Sequence, residues 1–178
     1  MKFSKVLPTL FSEFEKQGID FALVGGLALY FSGAARTTFD ADFLILLTQS
    51  DLIDKIMKRL GYTPVHTSSD VVNYVAKDPD LGQVDFLLAH RSYALAMLKR
   101  AEKKDVMGNP VKVLQPEDLI GLKVQSSSND PKRASQDKAD IENLLVRHAK
   151  TMNWALVQDY FRLFNREQEL EEMRRRLL

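Results

Sequence analysis

The sequence predicts an α/β fold of the α+β kind, a small mixed β-sheet flanked by helices and followed by a helical C-terminal subdomain. Three observations predict it. Residues 43–47 are apolar at every position, the pattern of a central strand covered on both faces. Short β-prone runs at 62–66, 71–76 and 83–88 sit among segments of helical periodicity. From residue 115 onward only the helical pattern remains. The expected division is a core over residues 1–114 and a helical subdomain over 115–178 packed on it, in a chain of 178 residues whose hydrophobic content of 45% suffices for a proper core.

Taken in order, residues 4–17 place Val6, Leu7, Leu10, Phe11 and Phe14 on one face of an amphipathic helix that lies over the sheet and stops at Gly18. Residues 21–24 form the first strand, Gly25-Gly26 the turn after it, and 27–32 a short helix ended by Gly33. Residues 42–47 are the central strand. Ser50 caps a helix that runs through Leu60 to Gly61. Three strands follow, with a polar turn at Lys77-Asp78-Pro79-Asp80, and then a helix over 91–103. Gly108-Asn109 is a hairpin turn, and Pro110 puts its second strand near an edge. Pro116 and Pro131 open helices, with Ser126-Ser127-Ser128-Asn129 the loop between them. The next helix buries Ile141, Leu144, Leu145 and His148, and a third shows Trp154, Val157, Tyr160, Phe161 and Phe164.

Composition excludes several classes of function. With 25 basic against 24 acidic residues the net charge is +1, so nucleic-acid binding, if present, is local. The absence of cysteine removes disulfides, thiolate metal sites and a thiol nucleophile. His66, His90 and His148 have no metal-ligand spacing. Residues 21–35 carry no charge but fall short of the roughly 20 residues a membrane span needs, and glycines interrupt them. Glu13, Glu15 and Asp20 break up any signal-peptide pattern, so a cytoplasmic location away from membranes is expected.

The chemistry concentrates in residues 21–47. Asp40 and Asp42, two apart on a strand, present two carboxylates on one face at the mouth of a buried strand. Such a pair repels itself and calls for a compensating cation, and hard oxygen ligands suit Mg²⁺ or Mn²⁺. Asp85 is a third acid in an otherwise apolar strand. If its strand pairs beside that of Asp40 and Asp42, the three converge on divalent ions that grip a triphosphate and activate a hydroxyl for in-line attack. Gly25-Gly26 between strand and helix suits a phosphate, because bare backbone N–H groups can face an anion, although the same dipeptide also serves as an ordinary tight turn.

Gly25-Gly26, Gly33, the run from Arg36-Thr37-Thr38 to Asp40-Ala41-Asp42, and Val84-Asp85-Phe86 together resemble the core signature of the polymerase-beta-like nucleotidyltransferase superfamily. Beyond that core, residues 117–123 and 136–145, with Lys123 and the pair Asp137 and Asp140, resemble the AbiEii-type toxin branch. The resemblance implies a nucleotidyltransferase core and Mg²⁺- or Mn²⁺-dependent transfer of a nucleoside monophosphate from an NTP, ATP included, to a hydroxyl. The acceptor would be an RNA, a protein or a small molecule, and the setting a toxin–antitoxin or phage-defence system with a cognate antitoxin or other partner protein.

By the same resemblance Asp40, Asp42 and Asp85 are the metal ligands and catalytic acids, with Asp85 also acting as or positioning the base. Gly25, Gly26, Arg36 and Thr38 belong to the nucleotide site. Lys123 contacts the triphosphate, and Asp137 or Asp140 orients that lysine or the acceptor. Gly26 departs from the pattern, since many active members have serine there. Lys132, Arg133 and Lys138 are expected to flank the site as a cationic rim for an RNA acceptor or the leaving pyrophosphate, whereas Arg174-Arg175-Arg176 reads as a solvated helix. The competing expectation is a non-catalytic, antitoxin-like interaction module of the same fold.

Overall fold

The computed structural model describes every residue, Met1–Leu178. Eight helices and seven strands form two compact units, one of Met1–Ala28 and Arg36–Leu114, the other of Leu29–Ala35 and Gln115–Leu178. No helix is long and apolar enough to cross a membrane.

The first unit contains α1 (Phe3–Lys16), β1 (Phe21–Leu23), the start of α2 (Gly25–Phe31), β2 (Asp40–Leu46), α3 (Ser50–Arg59), β3 (Tyr62–Thr67), β4 (Val71–Ala76), β5 (Gln83–Ala89), α4 (Ser92–Arg100), β6 (Glu102–Val106) and β7 (Asn109–Val113). The strands form one mixed sheet in the order β3-β4-β5-β2-β1-β7-β6. β2 runs parallel to β5 and β1 parallel to β7, and the remaining pairs are antiparallel. This is the mixed α+β architecture that the periodicities predict.

An aromatic core fixes the register. Phe14 of α1 lies with its ring centroid 5.5 Å from Phe43 and 6.0 Å from Phe86, and Phe43 and Phe86, registered partners on β2 and β5, stack at 5.6 Å. Each such ring contributes roughly 1.5–3 kcal/mol by burial. Because side chains alternate along a strand, seating Ala41, Phe43 and Ile45 with Val84, Phe86 and Leu88 on this side sends Asp40, Asp42 and Asp85 to the other. A one-residue slip of β2 would bury both of its acids, so the core that stabilises the unit also aims its carboxylates.

The second unit holds the end of α2 and four helices, α5 (Pro116–Asn129), α6 (Ala134–His148), α7 (Trp154–Arg162) and α8 (Glu167–Leu177). Ile120, Val124, Ile141, Leu144, Leu145, Val157 and Phe161, at helical spacing, are among its fully buried apolar residues, with Leu29 of α2. At Gly121 a Cβ would lie 2.8 Å from the Tyr160 ring, so the absent side chain lets Tyr160 pack against α5 and donate its hydroxyl to the buried Asp118 Oδ1 at 2.6 Å.

Several boundaries differ from expectation. Ser126-Ser127-Ser128-Asn129 is the last turn of α5 and not a loop: the Ser127 hydroxyl donates to Lys123 O at 2.8 Å and that of Ser128 to Val124 O at 2.7 Å, so helix carbonyls satisfy them. The helix expected over 91–103 ends at Arg100, and Glu102–Val106 is instead the charged edge strand of the sheet. β7, with Pro110, is therefore one strand in from the edge. Its pairing with β1 is confined to Leu23 and Val113, which leaves Pro110 clear of that ladder. Ser50 is the first residue of α3 and not its cap, since a 3₁₀ turn over Leu47–Gln49 precedes it. His148 is half-buried, with Nε2 2.8 Å from Ser32 O.

Candidate active site

β1 delivers the chain to Gly25, whose φ of +59° lies in the left-handed region that glycine favours. A Cβ at this position would overlap Asp42 Oδ2. The Asp42 carboxylate thus occupies the space that a side chain at residue 25 would need. Gly26 has the same relation to Thr38: a Cβ there would lie 2.5 Å from Thr38 Oγ1 and 2.6 Å from Thr38 Cβ. Thr38 Oγ1 in turn donates to Asp40 Oδ1 at 2.6 Å. The Gly-Gly turn is a mould for the acids as well as a bare stretch of backbone. It also gives the departure at residue 26 a steric reason, since a serine side chain and Thr38 compete for one volume.

The third acid arrives by register. On the parallel pair β2–β5, Asp42 lies opposite Asp85 and Asp40 opposite Gln83, and registered partners share a face. Carboxylate oxygens of Asp40, Asp42 and Asp85 all lie within 4.8 Å of one another, and each residue is half-buried. At that separation two like charges repel by on the order of 3 kcal/mol for an effective dielectric of about 20. Three hard-oxygen donors converging at the rim of a sheet fit a divalent ion such as Mg²⁺ or Mn²⁺.

Gln83 was not among the residues singled out from the sequence, yet its Nε2 donates to both oxygens of Asp85, each at 3.0 Å. The signal was available, because Gln83 and Asp85 repeat the two-residue spacing of Asp40 and Asp42. Arg36 donates through Nη1 to Thr37 O at 3.1 Å, within the loop that carries Thr38.

In the second unit Lys123, expected to be aimed at a fixed anion, is buried at 6% exposure and finds two within the protein. Its Nζ lies 2.9 Å from Asp137 Oδ1 and 2.8 Å from Asp140 Oδ2. Asp137 and Asp140 stand one turn apart on α6 and converge on α5 at this lysine. Gln136 Nε2 donates to Asp140 Oδ1 at 3.1 Å. Asp137 Oδ2 is buried without a hydrogen bond, and Arg133 Nε approaches it to 4.0 Å. The predicted residues therefore fall into two clusters, one in each unit: the acids with the glycine turn and Thr38, and Lys123 with Asp137 and Asp140.

The mould makes a direct prediction. Gly25→Ala is expected to lower the melting temperature and to lose at least tenfold of the activity, because a left-handed alanine costs about 1–2 kcal/mol and its Cβ displaces Asp42. Gly26→Ser is expected to be destabilised alone and to regain its melting temperature, though not the hydrogen bond to Asp40, when Thr38→Gly is added. Melting curves and activity measurements check both, and a fully stable Gly26→Ser single variant would show that Thr38 has other room.

A family model described as "Nucleotidyl transferase of unknown function (DUF2204)" matches residues 3–178. No curated protein matches the sequence significantly. Among solved structures, the fold is similar to that of the antibiotic-resistance factor ANT(2'')-Ia in solution, at 13% sequence identity, with 99% of each chain covered and a TM-score of 0.69. It is also similar to ANT(2'')-Ia in complex with adenylyl-2''-tobramycin (12% identity, 93% of this chain and 98% of that one, TM-score 0.66). A third similar structure is the lincosamide antibiotic adenylyltransferase LnuA with lincomycin bound (15% identity, 79% and 94%, TM-score 0.57). At these identities the likeness is one of fold.

Proposed function

The chain belongs to the family of nucleotidyl transferases of unknown function that its full-length match defines, and from that premise we propose that it moves a nucleoside monophosphate from an NTP to a hydroxyl of an acceptor in a divalent-metal-dependent reaction. The observation that carries this reading is the convergence of Asp40, Asp42 and Asp85 within 4.8 Å beside the glycine turn. Bound there, Mg²⁺ or Mn²⁺ would neutralise charge on the phosphates and on the attacking oxygen.

The chain's own residues have these roles in the proposal. Asp40 and Asp42 hold the ions, Asp40 fixed by the Thr38 hydroxyl. Asp85, oriented by Gln83, is the third ligand and takes or positions the proton of the acceptor hydroxyl. Backbone N–H groups of Gly25 and Gly26, with Arg36, face the triphosphate. The acceptor oxygen forms a bond to the α-phosphorus, the bond from that phosphorus to the bridging oxygen breaks, and pyrophosphate leaves on the opposite side. Lys123 with Asp137 and Asp140 keeps the finer resemblance to the AbiEii-type branch as a proposal, in which the lysine serves the triphosphate. The similar folds of ANT(2'')-Ia, held with adenylyl-2''-tobramycin, and of the lincosamide adenylyltransferase LnuA, held with lincomycin, support a small-molecule acceptor as one form of the reaction.

The test is ligand-linked stability. Mg²⁺ plus an NTP is expected to raise the melting temperature, and the same NTP with chelator much less. A ligand at a hundred times its Kd stabilises the native state by about 2.7 kcal/mol. No shift with any of the four NTPs at saturating concentration would instead favour a non-catalytic interaction module.

A further inference from the structure

We infer that the acceptor lies on the open face of β5, β4 and β3, beside the three carboxylates, and that it is a compact molecule bearing hydroxyl or amine groups and no chain of phosphates. This inference rests on the nucleotidyltransferase reading above.

Topology supplies the direction. In-line displacement requires the attacking hydroxyl and the departing pyrophosphate on opposite sides of the α-phosphorus. The glycine turn proposed for the phosphates follows β1, which flanks β2 on one side, while β5, β4 and β3 continue the sheet on the other. A triphosphate reaching toward Gly25 and Gly26 therefore leaves the β5 side for the incoming hydroxyl.

Register supplies the surface. Asp42 pairs with Asp85, Asp85 with Asn73 and Asn73 with His66, while Asp40 pairs with Gln83, Gln83 with Val75 and Val75 with Thr63. Registered partners share a face, so these two rows lie on the carboxylate side, and a bulge between Pro64 and His66 of β3 inserts one extra residue between them at the far edge. The grid they form is about 14 Å across four strands and about 7 Å deep, the size of a molecule of a few rings. The opposite face, with Tyr62, Val72, Tyr74, Val84, Phe86 and Leu88, is buried. On the grid Thr63, His66 and Gln83 are exposed, and Asn73, Val75 and Asp85 are half-exposed.

Charge supplies the class. None of the residues of β3, β4 or β5 is lysine or arginine, and the grid's polar groups are two amides, a hydroxyl, an imidazole and three carboxylates. Binding a nucleic acid depends on cations that neutralise its phosphates. With the three carboxylates given to the metal site, the acceptor meets the amides of Asn73 and Gln83, the Thr63 hydroxyl and the His66 imidazole, uncharged hydrogen-bonding groups that match hydroxyl and amine groups and not a chain of phosphates.

The experiment incubates the whole protein with Mg²⁺ and each α-labelled NTP, offering separately the low-molecular-mass filtrate and the RNA fraction of a cell extract. Label is expected in the filtrate. Asn73→Arg, and independently Thr63→Arg at the exposed end of the grid, are expected to lower that labelling at least tenfold. NTP-induced stabilisation should remain, and melting curves confirm that each variant folds. Label in RNA, label in neither fraction while NTP still stabilises the protein, or full labelling by both folded variants would each overturn the inference. Loss of NTP-induced stabilisation in the unmodified protein would instead overturn the nucleotidyltransferase reading.

Discussion

Asp42→Asn is expected to lower nucleotidyl transfer by about a hundredfold to a thousandfold, the range found when one group that stabilises transition-state charge is removed. Asp42 stands at the meeting point of the site: its carboxylate fills the space beside Gly25, it faces Asp85 across the β2–β5 ladder, and its strand also carries Asp40. Losing one of three converging charges should weaken Mn²⁺ binding along with turnover. Because the remaining carboxylates then repel less, the metal-free protein is expected to melt at the same or a higher temperature. Three measurements check this: transfer rate, Mn²⁺ affinity and the melting temperature in chelator. A marked fall in the metal-free melting temperature would assign Asp42 a structural role in place of a ligand's role.

Lys123→Met is expected to destabilise the protein by about 3–5 kcal/mol, the cost of stripping the partner from a buried ion pair. Taken as part of an apolar helix, this lysine reads as a residue whose charge could be removed without harm to folding. Its position between Asp137 and Asp140 reverses that expectation, since methionine would leave two buried carboxylates facing a thioether. Adding Asp137→Asn and Asp140→Asn should recover most of the lost stability. That triple variant then separates the two duties proposed for Lys123: a refolded protein that still fails to bind NTP assigns the lysine to the triphosphate, and one that binds NTP normally makes the cluster purely structural. Denaturant melts and NTP-dependent melting shifts provide both readings. A folded, fully stable Lys123→Met single variant would contradict the buried geometry itself.

Much of the molecule is legible from residue patterns because two periodicities carry them. The uninterrupted apolar run of β2, the β-prone runs of β4 and β5, and the face of α1 each reflect burial that a single element must satisfy on its own. The misread segments share a different cause. Ser126-Ser127-Ser128-Asn129 has the composition of a loop, but its hydroxyls find carbonyls one turn back and Arg166 from α7–α8, so tertiary contact extends α5. The first strand of the hairpin is legible at residues 105–107, but Glu102 and Lys103 read as the end of the preceding helix and join that strand only by pairing with β7.

The sequence by itself determined the fold class and named the three acids, because a carboxylate in an apolar strand is conspicuous wherever that strand lies. Only the tertiary structure decided what surrounds them. That Gly26 yields its volume to Thr38, that Asn73 and His66 extend the row of Asp42 and Asp85, and that Lys123 is bound by two acids all depend on distances between different elements of the fold. Spacing within one element is a local property of backbone geometry, while register between strands and convergence between helices follow from how the whole core packs.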